Sequence, residues 1–166
     1  MSEHPRIAEF REHLAHHQAQ PRIVVLPDSV HTAQLAADAL GCEVGAIANS
    51  LVFAGVPLDG APVEQDPKPV LLLTSGAHRV DTAKVAADLG MERLERADKD
   101  FVAQHTGQVI GGVSPIGHPQ QVPTYLDPAL KQYDEIWAAA GHPAAVFATT
   151  YDELQQMTAA VEQPMN

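Results

Sequence analysis

Gly111-Gly112-Val113-Ser114-Pro115-Ile116-Gly117-His118-Pro119 is the stretch on which the reading of this chain turns. It directly follows the apolar pair Val109-Ile110. A helix cannot hold it, because glycine is entropically costly there and proline lacks an amide N–H and clashes with the preceding turn. Residues 108–114 therefore read as a strand that breaks into a rigid loop with exposed backbone N–H groups. Such a loop can hold an oxyanion or a phosphate without any charged side chain. Function is legible here only if the rest of the chain builds a pocket around it.

The chain has 166 residues, which fits one domain with a substantial core. We expect a single domain over residues 1–166, with an N-terminal helix within 1–20 and a core over 22–162. No apolar run approaches the roughly 18 residues of a membrane span, and no signal-peptide pattern opens the chain, so the expected location is cytoplasmic. One cysteine, Cys42, excludes an intramolecular disulfide. It reads as structural, since nothing local supplies the base or cation that a reactive thiolate needs. The formal net charge is −11, from 10 Lys and Arg against 21 Asp and Glu. That opposes general nucleic-acid binding and a DNA reader, which need clustered cations, but not contact with the end of a nucleic acid.

Outward from the loop, residues 69–74 are a continuous apolar run and read as a central strand buried on both faces. Residues 22–26 and 44–54 are further strands, the second interrupted by Asn49-Ser50. Residues 30–40 form a helix stopped by Gly41, and Asp81 and Asp98 cap helices that end before Gly90 and Gly107. Residues 91–96 are a short edge strand, residues 121–126 are extended, and Asp127-Pro128 opens a turn with Asp127 as cap. Residues 134–140 and 144–149 form a hairpin about Gly141-His142-Pro143, and residues 151–161 form a closing helix. Ile7, Phe10 and Leu14 mark an amphipathic helix over residues 3–18. His13 and His17 share a face there. They read as a solvated face, since no carboxylate-rich cluster accompanies them. The sum is an α/β (α+β type) fold of six to seven strands, a mixed sheet or barrel flanked by helices.

In this order, the elements resemble one family. An apolar helix ending in Leu-Gly is followed by Ile47-Ala48-Asn49-Ser50-Leu51-Val52-Phe53. Then come the buried strand and its Gly76 turn, Asp88-Leu89-Gly90, the glycine-proline loop, Pro123 to Asp127, and Ala140-Gly141-His142-Pro143. Over about residues 25–160 the chain resembles the YbaK and prolyl-tRNA synthetase editing-domain superfamily, the free-standing aminoacyl-tRNA deacylases. The resemblance implies a mixed, barrel-like sheet surrounded by helices, and hydrolysis of the ester between a mischarged amino acid and the tRNA 3′ end, with no metal, no cofactor and no side-chain nucleophile. Backbone N–H groups from Gly111 and Gly112 would stabilise the tetrahedral oxyanion. Losing one such donor costs an enzyme about 3–4 kcal/mol. Pro115 would stiffen the loop so that its amides are pre-aimed.

The resemblance also exposes a departure. The position of Asn49 is usually lysine in that family, an active-site group. Asparagine donates and accepts hydrogen bonds but carries no charge. Three readings stay open: Asn49 holds a different acyl group, a cation elsewhere (Lys68, Arg79 or His118) replaces the lysine, or the protein is a non-catalytic or weakly active module that binds the aminoacyl-tRNA end. The expected catalytic positions are Gly111, Gly112 and Asn49. Ser50, Ser114, Pro115, Gly117, His118, Gly141 and His142 are the expected substrate contacts. His142 either orients water or the ribose 2′-hydroxyl, or is a turn residue bonded to backbone. The expected partner is the aminoacyl-tRNA 3′ end. Docking on an aminoacyl-tRNA synthetase stays open, neither DNA nor membrane is a partner, and a monomer is the default.

Overall fold

The computed structural model describes residues 4–16, 22–27, 32–58, 67–109 and 113–166. At its centre are two long strands, β2 (Ile47–Pro57) and β3 (Lys68–Ser75), paired antiparallel from Ala48↔Ser75 to Gly55↔Lys68. Val70, Leu71, Leu72 and Leu73 of β3 have no exposed surface, as an uninterrupted apolar run requires when both faces are covered. The other strands are β1 (Ile23–Val25), β4 (Met91–Arg96), β5 (Thr124–Leu126), β6 (Ile136–Ala139), β7 (Ala145–Thr149) and β8 (Val161–Glu162). They form one mixed sheet in the order β1-β7-β6-β2-β3-β5-β8, with β4 paired to β2. The β2–β6, β3–β5 and β5–β8 pairs are parallel and the others antiparallel.

Alternation along the strands sends neighbouring residues to opposite faces. Leu71, Leu73, Ile136, Ala138 and Phe147 face one way. They pack against α1 (Pro5–His16), α4 (Lys99–Thr106) and α5 (Tyr151–Thr158) through Phe10, Leu14, Val102 and Leu154. On the other face, α2 (Ala33–Leu40) covers Ile47 and Trp137, and α3 (Thr82–Asp88) covers Val70 and Leu72. Asn49 belongs to this second face, in the gap between α2 and α3.

The caps follow the expected chemistry. Asp81 accepts from Lys84 N, Asp98 from Phe101 N, and Gly41 and Gly107 close their helices at φ 72° and 70°. The helix expected from residue 30 begins at Ala33 with Thr32 as N-cap. Four expectations need correction. The strand expected from residue 44 begins at Ile47, after a single 3-10 turn over Val44–Ala46. Eight strands are present among the described residues, not six to seven. The closing helix stops at Thr158, Ala159 turns left-handed at φ 55°, and Val161–Glu162 joins β5 as the extra strand. No strand forms at residues 108–109 or 113–114, because Ser114 N donates to the Gln108 side chain at 2.8 Å instead of to a neighbouring strand.

Candidate functional site

Asn49 stands where the sheet has an opening. On one edge of β2 the pairing with β6 ends at Ala48↔Ala138, and the pairing with β4 begins only at Phe53↔Arg96. Among the described residues, positions 49–52 have no partner strand on that edge. Two cavities meet at Asn49. One is a cleft of about 200 Å³ whose walls include Ala33, Ala36, Trp137, Ala139 and Val146, with Ser50 at its lining. Several water volumes of about 30 Å³ would fit there. Its walls are short because α2 presents alanines to the sheet. Ser50 Oγ is buried with no hydrogen-bond partner among the described residues. The other cavity is an open groove of about 520 Å³, where Asn49, Thr74, His78 and Arg79 share the lining with apolar Leu51, Phe53 and Val80.

The floor of the groove is the turn from β3 into α3. Gly76 N donates to Ile47 O at 2.7 Å, and a Cβ on Gly76 would lie 2.5 Å from the Val44 carbonyl oxygen. Only glycine admits that approach, which presses the turn against the start of β2. Just beyond, Asp127 is 1% exposed and organises four donors. Its Oδ2 accepts from Ser75 N (3.0 Å) and Thr74 Oγ1 (3.3 Å) and lies 3.0 Å from His78 Nδ1. Its Oδ1 accepts from Ala129 N at 2.9 Å, the turn cap expected of an Asp-Pro sequence. The carboxylate reaches β3 because β5 runs parallel beside it, with Leu73 opposite Leu126.

The expected oxyanion donors, Gly111 and Gly112, lie outside the described residues. The rest of their loop is tied inward. Val113, Ser114, Pro115 and Ile116 are buried. The Ser114 hydroxyl donates to Ile116 O at 2.7 Å, with Gln108 Oε1 at 3.1 Å. His118 Nε2 lies 2.8 Å from Ser114 O, so that nitrogen carries the proton. Burial holds the His118 imidazole below its usual range, against the opposing pull of the Ser114 carbonyl, and His13 lowers it further. Ser114, Gly117, His118 and Gly141 line a third cavity, of about 320 Å³, together with Arg6 and His13 of α1. Gly117, at φ 84°, would put a Cβ 2.5 Å from the His13 ring. Loop and helix therefore close on each other.

Asn49 and Ser50 thus meet at the β2 opening, while Ser114, Gly117, His118 and Gly141 gather at α1. Pro115 lines a separate recess beside α5. His142 lines none of these cavities; its Nδ1 accepts from Ala144 N at 3.0 Å, which is the turn reading of that residue. Of the three candidate cations, Arg79 shares a groove with Asn49, whereas His118 belongs to the α1 cavity. Lys68 pairs with Gly55, six residues along β3 from Thr74, or roughly 20 Å. His78 was not singled out from sequence. It stands 49 residues from Asp127, and only the β3–β5 pairing joins them. Burial raises the Cys42 thiol, as suits a structural cysteine, with Glu135 and Glu43 adding to the rise against a backbone hydrogen bond. His17 lies outside the described residues, and among the described ones no three His, Cys, Asp or Glu side chains group as metal ligands would. No described helix is long and apolar enough to cross a membrane.

This chain belongs to the aminoacyl-tRNA editing domain family, whose model matches residues 27–157. EbsC of Enterococcus faecalis, named as a candidate Cys-tRNA(Pro)/Cys-tRNA(Cys) deacylase, is 30% identical over 135 residues, covering 76% of this chain and 77% of that protein. A solved structure described as a candidate trans-editing enzyme for prolyl-tRNA synthetase is similar at TM-score 0.87 and 37% identity, over 99% of both chains. A proline–tRNA ligase of Limosilactobacillus fermentum is 34% identical over 101 residues, which are 61% of this chain and 17% of that protein.

Proposed function

We propose that this protein is a trans-editing deacylase that hydrolyses the ester between a mischarged amino acid and the 3′-terminal ribose of tRNA. The observation that carries this reading is the place of Asn49 in a chain of this family, at the junction of a cleft beneath α2 and an open groove that His78 and Arg79 help to line. The cleft takes the amino-acid side chain. The groove takes the ribose and terminal phosphate. Arg79 lies beside that path, is exposed, and has no ion pair among the described residues. A guanidinium there supplies the positive charge that Asn49 lacks, and it suits phosphate geometry.

In this reading the substrate carbonyl lies beside Asn49, whose amide N–H donates to the substrate. The Gly111 and Gly112 amides take the developing oxyanion. The Ser114 amide is already committed to Gln108, so the oxyanion role rests on the two glycines. The reaction as proposed uses no metal. The net charge of −11 favours weak tRNA affinity for the chain alone, with a synthetase as the partner that delivers the substrate.

The test is to incubate the protein with mischarged tRNAs, including Ala-, Ser- and Cys-tRNA(Pro), the last suggested by the name of EbsC. Release of amino acid well above the buffer rate, undiminished by a chelator, supports the proposal. Tight binding of an aminoacyl-adenosine analogue with no release from any substrate would favour the binding-module reading that the missing lysine suggests.

A further inference from the structure

We propose that His78 is the general base of this site, oriented by Asp127. The inference rests on the deacylase reading and adds a residue to it. Asp127 is buried and, as a carboxylate, can only accept hydrogen bonds. It accepts from Ser75 N, Thr74 Oγ1 and Ala129 N, so the His78 nitrogen 3.0 Å from it must be the donor. The neutral ring therefore carries its proton on Nδ1 and has a lone pair on Nε2. The ring lines the same groove as Asn49 and Thr74, its side chain is 28% exposed, and no described residue bonds Nε2. A buried carboxylate that fixes the tautomer of a half-exposed imidazole beside a substrate groove is the arrangement that general-base catalysis uses. Gly76 and the β3–β5 pairing hold both partners on rigid elements.

The step balances without a further reactant. Nε2 takes a proton from a water molecule as its oxygen bonds to the ester carbon, and the carbonyl π pair moves onto oxygen. When that oxyanion collapses, the bond to the ribose 3′-oxygen breaks, and the leaving oxygen takes the proton back from Nε2. The products are the free amino acid and an intact tRNA 3′ end. Asp127 stays ionised and acts only as a positioning residue.

The experiment compares wild type, His78→Asn, His78→Gln and His78→Ala for release of amino acid from mischarged tRNA, with thermal melts of each. His78→Asn can still donate to Asp127 but has no basic nitrogen. We expect it to melt close to wild type while kcat falls by about 10²–10⁴ and KM changes little. Added imidazole should restore part of the His78→Ala activity. Release by His78→Asn within threefold of wild type would overturn the base and leave the deacylase reading standing. Activity lost only in proportion to lowered melting temperature, without imidazole rescue, would overturn it in favour of a structural tie. No release by wild type would sink both.

Discussion

Asn49 and Thr74 stand opposite one another across the β2–β3 pair, and Thr74 Oγ1 donates to the same Asp127 oxygen that holds His78. The side-chain amide of Asn49 thus borders a hydrogen-bonded cluster whose geometry is already set. Removing it with Asn49→Ala should lower kcat/KM for deacylation roughly tenfold, the cost of one hydrogen bond of about 1–1.5 kcal/mol. Asn49→Lys should not raise activity, because Arg79 already brings a cation to the groove. A tenfold gain in steady-state release by Asn49→Lys would contradict this.

Arg79 is assigned to the terminal phosphate. Arg79→Gln should raise KM several-fold with kcat within about twofold of wild type. It should also flatten the salt dependence of tRNA binding by about 0.7 in the log–log slope, as expected for one lost contact to a single strand. An unchanged slope would place the phosphate elsewhere.

Ser50 Oγ is buried without a partner among the described residues. An unsatisfied buried hydroxyl costs about 1–3 kcal/mol, so Ser50→Ala should stabilise the free protein. For a chain of this size each kcal/mol moves Tm by about 2–4 °C. If the substrate supplies the missing partner, the same variant should bind an aminoacyl-adenosine analogue more weakly. Equal or lower Tm in a calorimetric scan would mean that the hydroxyl is satisfied in solution.

His118 should make stability depend on pH. Burial lowers its pKa in the folded state below the ordinary value of about 6.5, so the native protein resists a proton that the unfolded chain accepts. This contribution is fully present above about pH 6.5 and is lost as the pH falls toward the folded pKa. Denaturant melts between pH 7.5 and 5 should show stability falling with acidity, with a shallower fall for His118→Asn. Parallel curves for the two proteins would remove His118 as the cause.

Gly76→Ala should be among the most damaging single changes. Its methyl would meet the Val44 carbonyl at 2.5 Å, backbone against backbone, and neither side can yield cheaply. Overpacking of this kind costs about 1–3 kcal/mol. The shift also displaces the turn that carries His78 and Arg79, so kcat/KM should fall by more than the stability loss explains. A folded, fully active Gly76→Ala protein would show that the turn has slack.

Much of this fold was legible because local chemistry and tertiary context agree. The apolar run 69–74 became β3, and Asp81, Asp98, Gly41 and Gly107 cap as their side chains dictate. What escaped depends on distant partners. Val161–Glu162 is strand only because β5 lies beside it, whereas helical periodicity runs on to Val161. Val109 lies in no strand because the Gln108 side chain takes the Ser114 amide, a competition that composition does not reveal. Asn49 was found through a motif, whereas His78 was missed. Its meaning comes from a carboxylate 49 residues away, brought near by parallel strand pairing.

The opening along β2 has an evolutionary consequence. β3 pairs with this strand from Ala48 to Gly55, and β6 and β4 fix its other edge on either side of positions 49–52. The frame of the gap is therefore set by backbone pairing that does not involve the side chains facing it. Exchanging lysine for asparagine at position 49 alters what the gap presents while leaving the strand register intact. The side chain presented here can thus change one residue at a time without disturbing the pairing that holds the strand.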